Sequence, residues 1–113
     1  METSAVLAAL AALGHASRLA AFRALVQAGH GGLSVGELRE RLDLPPATLT
    51  AHLNQLRACG LVLDEREGRS IRVRAAYARM NALLAYLTEN CCAGEKTCAP
   101  TAARTARKPG ARR

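Results

Sequence analysis

The sequence contains no tryptophan, and it has only one phenylalanine and two tyrosines among its 113 residues. Half of its residues are nevertheless hydrophobic, so a core must be built mainly from leucine, alanine and valine. Small apolar side chains of this kind favour closely packed helices. A chain of this length is sufficient for one domain and too short for two separate cores.

No hydrophobic run is long enough to cross a bilayer, because arginine, histidine, glutamate or glutamine interrupts every leucine- and alanine-rich segment. The chain begins with Met1-Glu2 rather than a basic region, which argues against a secretory leader. We therefore expect a cytoplasmic protein with no membrane partner, in which thiols stay reduced. Its four cysteines are then better explained as ligands or sensors than as structural disulfides.

The formal net charge of +7 suggests a polyanionic partner, but the positive charge is unevenly placed. Residues 99–113 contain five basic residues and no acidic one, which leaves eleven basic and nine acidic residues in the rest of the chain. Bulk charge therefore does not establish nucleic-acid binding, which needs a motif. Because residues 99–113 also lack a periodic apolar pattern, we expect a disordered basic tail there.

The spacing of apolar residues predicts helices at about residues 5–13, 16–28 and 76–90. In the second of these helices we expect Leu19, Phe22 and Val26 to face the interior.

Two further helices are separated by a short turn in the middle of the chain. The segment 34–37, Ser-Val-Gly-Glu, has the form of a capping box, which marks a helix start. The segment 43–46, Asp-Leu-Pro-Pro, interrupts that helix, and its prolines suit the first turn of the next, which closes at Gly60. The apolar stripe of this second helix consists of Leu49, Leu53 and Leu56. Two helices joined by so few residues predict a helix-turn-helix.

After these helices the apolar period changes to that of a strand. Segments 61–66 and 70–74 are predicted as two strands joined by a Glu-Gly-Arg turn. In the second strand, isoleucine and valine alternate with Arg72 and Arg74, so we expect one packed face and one cationic face. The predicted fold class is therefore mainly α with a small β-hairpin, a winged helix-turn-helix domain over residues 1–90.

The order and spacing of these elements resemble the ArsR family of bacterial winged-helix repressors over roughly residues 5–90. The resemblance rests on Leu13-Gly-His-Ala-Ser-Arg-Leu19, Leu33-Ser-Val-Gly-Glu-Leu38, Thr48-Leu-Thr-Ala-His-Leu53 and Leu56-Arg-Ala-Cys-Gly-Leu-Val62. It implies a non-enzymatic repressor of double-stranded operator DNA. It also implies a homodimer through the first and last helices, with residues 5–13 and 80–87 at the interface.

The resemblance further implies which side chains face DNA. Thr48 and Thr50 match base-contacting positions, and His52 matches a family histidine beside the DNA face, although a scaffold role is the alternative for His52. Three neighbouring positions hold proline or alanine where the family often has polar residues. We therefore expect contacts to the DNA backbone and recognition of DNA shape to contribute more to binding than direct base contacts. Any one of the arginines expected to contact phosphate is alternatively an ordinary solvated surface charge. The phosphate contacts are expected from Arg57, Arg69 and Arg72.

Members of the family sense metal ions or metalloids at sites that differ in position. The family's arsenic triplet Cys-Val-Cys reads Ser-Val-Gly here at 34–36, and residues 77–90 contain none of the His and Asp ligands of its zinc-type site. Cys91-Cys92 followed by Cys98 resembles instead the arsenite-responsive subgroup with three cysteines past the last helix. The resemblance predicts As(III) binding in segment 91–98, with antimonite or methylarsenite as alternatives and no organic cofactor.

The chemistry of the three thiols agrees with this prediction. Three soft donors suit a low-coordinate centre, whereas vicinal cysteines are poorly placed for the tetrahedron of structural zinc. The sequence leaves Cd(II), Pb(II) or a redox disulfide between Cys98 and one of the adjacent cysteines open. A thiol-dependent arsenate reductase is a further alternative, although no Cys-x-x-Cys opens a helix. Cys59 is interpreted as a small buried residue.

Overall fold

The computed structural model describes residues 1–94, and Cys98 and the segment 99–113 lie outside the described residues. In the described part, five α-helices surround a small antiparallel sheet, and a 3₁₀ turn follows the last helix. The elements are α1 (Thr3–Leu13), α2 (Ala16–Ala28), β1 (Leu33–Ser34), α3 (Val35–Leu42), α4 (Pro46–Ala58), β2 (Val62–Glu67), β3 (Ser70–Ala75) and α5 (Tyr77–Leu87), then the turn Cys91–Gly94. The predicted mainly α, winged helix-turn-helix fold class is confirmed.

The core is built from leucines and small residues, as the composition requires. Ala9 of α1 and Ala21 of α2 are completely buried, which lets these two helices approach closely. The predicted apolar stripe of α4 is confirmed, because all three of its leucines are buried. The largest fully buried side chains are Leu25, Leu38, Leu49, Leu53, Leu56, Leu61 and Val73. One core therefore joins the helix-turn-helix to the sheet.

The capping box at the start of α3 is formed as predicted. The Ser34 hydroxyl oxygen accepts from the Glu37 backbone N–H at 3.0 Å, and Glu37 Oε1 accepts from the Ser34 backbone N–H at 2.8 Å. These bonds satisfy backbone donors that a helix start leaves unpaired. At the other end, Asp43 adopts a left-handed conformation with φ 54°, and Pro46 opens α4 at its first turn.

Replacing Ser34 by alanine should lower the free energy of unfolding by about 1 kcal/mol, because it removes the side-chain acceptor of the cap. Urea denaturation at one protein concentration measures the change. Ser70→Ala, at an exposed serine of β3, is the matched control and should leave stability unchanged. Equal midpoints for Ser34→Ala and wild type would contradict the prediction.

The sheet ties the hairpin to the helix-turn-helix. Its strand order is β1-β3-β2, so the short strand β1 adds a third member to the two-stranded hairpin that the sequence predicts. Leu33 pairs with Val73, and Ser34 pairs with Arg72. A side chain at Gly32, which has φ +66°, would collide with the Val73 carbonyl, so this approach requires glycine.

The corner between α1 and α2 is closed by side chains. The ring nitrogen Nδ1 of His15 accepts from the Ser17 backbone N–H at 3.1 Å, which caps α2. Nε of Arg18 donates to the Ala12 carbonyl at 2.6 Å, across the corner. Among residues 1–94 no single helix is long and apolar enough to cross a membrane. Only α1 and α2 taken together pass that test, and they are bent by 102° at this corner.

Two details of the predicted helices are wrong. Leu19 was expected inside, but it is 43% exposed, because α2 buries the face formed by Ala21, Phe22 and Leu25. The last helix ends at Leu87 rather than near residue 90, and Asn90 has a left-handed φ of 56°. Asparagine is among the residues that adopt this conformation most readily, so the chain leaves the helix before the cysteines.

Candidate nucleic-acid interface and cysteine segment

The N-terminal half of α4 presents the two predicted base-contacting threonines to solvent. Thr48 and Thr50 are exposed on the flanks of the helix, away from its buried leucine stripe. Ala47 and Ala51 are exposed near and between them and add little bulk. This half of a recognition helix is the part that enters a major groove, so short side chains there allow close approach to the bases. Contact of Thr48 and Thr50 with bases stays a prediction.

His52 lies on the side of α4 that faces the α1–α2 corner. It is half-buried, and its ring centroid lies 4.6 Å from that of His15, with the ring planes tilted by 47°. Burial lowers the pKa of His52 below its ordinary value of 6.5, and the neighbouring His15 and Arg18 lower it further. The structure therefore gives His52 a packing role that holds α4 against the corner, while a contact with DNA stays a prediction.

The stability of the protein should fall as the pH drops through 6.5, because the folded state binds a proton at His52 less readily than the unfolded state does. Urea midpoints at about pH 7.5 and about pH 5.5 measure this loss. His52→Gln should reduce the difference between the two midpoints. His30→Gln, at an exposed histidine whose ring packs on Tyr77, should keep it. A difference unchanged in His52→Gln would assign the pH dependence to other groups.

Arg57, predicted to contact phosphate, is engaged within the subunit. Its Nε lies 3.1 Å from both carboxylate oxygens of Asp64 on β2, and its Nη1 donates to Oδ1 of Asn54 at 2.9 Å. The guanidinium thus connects α4 to β2. Sequence reasoning missed both partners, although Asn54 and Arg57 stand three residues apart and so share a helix face.

Arg72, a second predicted phosphate contact, joins the wing to the start of α3. Its Nε donates to the Gly31 carbonyl at 2.8 Å, and its Nη2 donates to the Gly32 carbonyl at 3.0 Å and lies 3.3 Å from Glu37 Oε1. The Ser34 backbone N–H, and after it the charge of Arg72, lower the pKa of Glu37. Partners within the subunit therefore already occupy this guanidinium.

The predicted cationic face of the hairpin is wrong as stated. Arg72 is paired as described, and Nε of Arg74 lies 3.4 Å from Glu65 Oε1, so acids on α3 and β2 offset both charges. Arg69 differs from them, because it is exposed at the hairpin turn and forms no ion pair within residues 1–94. Exposed Arg66 is equally unpaired in that part of the chain. The tip of the wing therefore carries exposed arginines, and contact of Arg69 with phosphate stays a prediction.

Two of the three predicted metalloid ligands lie together just after α5. The Cys91 backbone N–H donates to the Thr88 carbonyl at 3.0 Å, and the sulfur atoms of Cys91 and Cys92 are 3.6 Å apart. Cys92 is disulfide-bonded in this structure, so both sulfurs become ligands for one soft ion only after that bond is reduced. Two metal–sulfur bonds of about 2.3 Å span at most about 4.6 Å, which accommodates the separation. The third predicted ligand, Cys98, lies outside the described residues, and residues 1–94 hold no metal-competent group of three or more His, Cys, Asp or Glu.

Cys59 is half-buried rather than fully buried as expected. Its Sγ donates to the Leu56 carbonyl at 3.4 Å, because it follows the last turn of α4 and sits at the rim of the core. It lies outside the cysteine segment.

Comparisons with known proteins identify the family. The helix-turn-helix domain family matches residues 13–65. The biofilm growth-associated repressor of Agrobacterium fabrum is 37% identical over 87 residues, which make up 77% of this chain and 72% of that protein. The structure of an ArsR-like transcriptional regulator from Rhodococcus sp. RHA1 is similar with a TM-score of 0.70, covering 91% of this chain and 92% of that chain at 29% identity. The chain belongs to the ArsR family of winged helix-turn-helix regulators.

A third similar structure is the homodimeric winged helix-turn-helix DNA-binding domain of Mb0332 from Mycobacterium bovis. It is 28% identical, with a TM-score of 0.61, and the match covers 77% of this chain and 81% of that chain. The predicted resemblance to the ArsR family is therefore confirmed at the level of the family.

This ArsR-family chain exposes leucines on the two helices predicted to form its dimer interface. Leu7 of α1 is 61% exposed, and Leu84 and Leu87 of α5 are 48% and 54% exposed. An apolar groove of about 290 Å³ lies beside them, lined by Leu13, Leu19, Phe22, Arg23, Val26, Gln27, Met80, Leu83 and Leu84. Exposed leucines beside an apolar groove are a candidate for a surface covered by another protein surface.

Proposed function

We propose that the protein is a homodimeric transcriptional repressor that binds operator DNA through α4 and releases it when trivalent arsenic binds Cys91, Cys92 and Cys98. The observation that carries the proposal is that the sulfur atoms of Cys91 and Cys92 lie 3.6 Å apart directly after α5. Cys92 is disulfide-bonded in this structure, so the proposal concerns the reduced protein. Segment 91–98 is the proposed metalloid-binding unit, and residues 1–90 form the DNA-binding and dimerisation domain.

The exposed leucines of α1 and α5 support the dimer. A 113-residue chain with one phenylalanine buries limited surface alone, so covering these leucines would add apolar burial that the monomer lacks. The similar Mb0332 domain is homodimeric, which agrees with the same assembly here. A dimer places two α4 helices side by side, as reading two half-sites one helical turn apart requires.

The position of the cysteines supports a regulatory role. They follow the helix whose leucines would lie in the dimer interface, so a ligand there can alter how the subunits pair. The Tyr86 hydroxyl and the Thr3 hydroxyl are 2.7 Å apart and connect the end of α5 to the beginning of α1. Release of DNA requires that arsenic binds the DNA-free arrangement of the dimer more tightly than the DNA-bound one.

Other ligands and activities are alternatives to this proposal. Cd(II), Pb(II), antimonite and methylarsenite are also soft and thiol-binding, and oxidation to a disulfide would use the same cysteines. An arsenate reductase is less well supported, because the related proteins are named as regulators. The following experiment distinguishes arsenite from Cd(II) or Pb(II) and from disulfide formation.

The test is fluorescence anisotropy of a labelled fragment from upstream of the protein's own gene, at fixed salt and with reductant. We expect the wild type to bind this fragment more tightly than a shuffled fragment of equal length, and arsenite to release it. Release by Cd(II) or Pb(II) but not by arsenite would identify that ion, and not arsenite, as the inducer. Release only when reductant is omitted would favour the disulfide. Equal affinity for both fragments would reject the repressor function.

A further inference from the structure

One longer polar side chain on the exposed face of α4 has its orientation fixed by its neighbours. Asn54 is exposed and follows Ala47 by seven residues and Ala51 by three, so it shares their outward face. Its Oδ1 accepts a hydrogen bond of 2.9 Å from Nη1 of Arg57. Arg57 is fixed in turn by Asp64 of β2, at 3.1 Å from Nε. The three side chains form a connected series from the wing to the recognition helix.

The chemistry of arginine determines which end of the Asn54 amide is available. A guanidinium donates hydrogen bonds and cannot accept them, so the atom beside Nη1 must be the amide oxygen. The Nδ2 amine, with its two N–H donors, is then the end that Asn54 has to offer to a ligand. An unrestrained asparagine offers a donor and an acceptor together, which is why it pairs with N6 and N7 of adenine. Asn54 presents donors.

We propose that Asn54 reads a guanine of the operator, and that Arg57 and Asp64 are positioning residues that set this preference. Guanine presents two acceptors, O6 and N7, on its major-groove edge, and these match the two N–H groups. Adenine carries an amino donor where guanine carries O6, so it would oppose the Asn54 amine. This inference rests on the proposed function, because α4 must enter the major groove. It requires the helix to lie deep enough that Asn54, beyond the N-terminal half, also reaches the base edges.

The small side chains around Asn54 support this reading. Ala47 and Ala51 precede it on the outward face of α4 and place no bulk between the helix and the base edges. The pairing of Asp64 with Arg57 also offsets an acidic charge that would otherwise face the phosphates from the wing. The three-residue series thus orients the Asn54 amine as a donor. It also reduces the repulsion between the Asp64 carboxylate and the DNA phosphates.

The experiment uses the full chain and the same promoter fragment, with each guanine of the half-site replaced in turn by adenine or by 7-deazaguanine, which lacks the N7 acceptor. At one guanine, we expect adenine to weaken wild-type binding roughly tenfold. Asn54→Ala should bind the guanine and adenine fragments equally. Asn54→Asp, which keeps an acceptor for Arg57 but has no donor, should also lose the discrimination.

The positioning role has a separate readout. Arg57→Met leaves the Asn54 amide free to turn, so the preference for guanine over adenine should shrink or reverse toward adenine. Asp64→Asn, at an exposed position, removes the charge that fixes Arg57 with a smaller change of side chain. It should shift the base preference in the same direction. Thermal unfolding at one protein concentration checks that each variant is folded. An unchanged preference in both variants would remove Arg57 and Asp64 from the proposal.

Other results would overturn the reading of guanine itself. If Asn54→Ala weakened binding to every fragment by the same factor, Asn54 would contact phosphate and not a base. Discrimination that persists in Asn54→Ala would assign it to another side chain. Failure of the proposed function is distinguishable from both, since the wild type would then bind the promoter fragment no better than a shuffled one.

Discussion

Arsenite should release the wild-type protein from its promoter. A Cys91→Ser, Cys92→Ser double variant should stay bound even at arsenite concentrations at least about a hundredfold above those that release the wild type. The physical reason is that a hydroxyl is a poor ligand for a soft trivalent centre, and the variant retains at most one of three thiolates. The two serines are nearly isosteric with the cysteines and lie past the end of α5, so DNA affinity without arsenite should stay unchanged. Fluorescence anisotropy of the labelled promoter measures both quantities.

Controls separate this effect from general thiol chemistry. Cys59→Ser removes a half-buried cysteine that hydrogen-bonds to Leu56, outside the cysteine segment, and should respond to arsenite as the wild type does. Cys98→Ser tests the third predicted ligand: it should lose the response to arsenite while keeping that to methylarsenite, which needs two thiols. Release of the double variant at the wild-type arsenite concentration would remove the segment from the mechanism.

Glutamate at Leu84 and Leu87 should convert the dimer to a monomer and weaken promoter binding by about a hundredfold or more. Both side chains are about half exposed on α5, so the monomer can tolerate the charge while an apolar interface cannot. The large effect on DNA follows because two linked recognition helices bind far more tightly than one. Sedimentation measures the dimer, and anisotropy measures DNA affinity.

The matched control for this variant is Leu63→Glu. Leu63 is a leucine of the wing that is 43% exposed, and it lies outside the predicted dimer surface. Its substitution places one negative charge at a similarly exposed leucine and should leave the dimer intact. A Leu84→Glu, Leu87→Glu protein that remains dimeric and binds DNA normally would show that another face joins the subunits.

Features that depend on neighbouring residues in the chain could be predicted from the sequence. The capping box from Ser34 to Glu37 and the leucine stripe of α4 were both found correctly, because a helix start and a helix face are set within a few residues. The end of α5 was placed too late, because a left-handed Asn90 leaves no trace in apolar spacing. The bounds of a helix are thus less predictable than its buried face.

Features that depend on distant residues were missed. The partners of Arg57 and Arg72 within the subunit were missed, because nothing in the sequence places Asp64 beside Arg57 or the Gly31 carbonyl beside Arg72. Contact of both arginines with phosphate stays a prediction. The outward turn of Leu19 was missed for the same reason, since α2 has apolar residues on more than one side. Tertiary packing selects the buried face of such a helix, and pattern alone does not.

The pairing of Ser34 with Arg72 has a consequence for how the protein can switch. Ser34 belongs to strand β1 and caps α3, and Arg72 of β3 also holds the Gly31 and Gly32 carbonyls and Glu37. These contacts connect the wing to the helix-turn-helix, so we expect the two to move together. If a ligand binds at the end of α5 as proposed, we expect it to act by changing the angle and spacing between the two subunits of the proposed dimer.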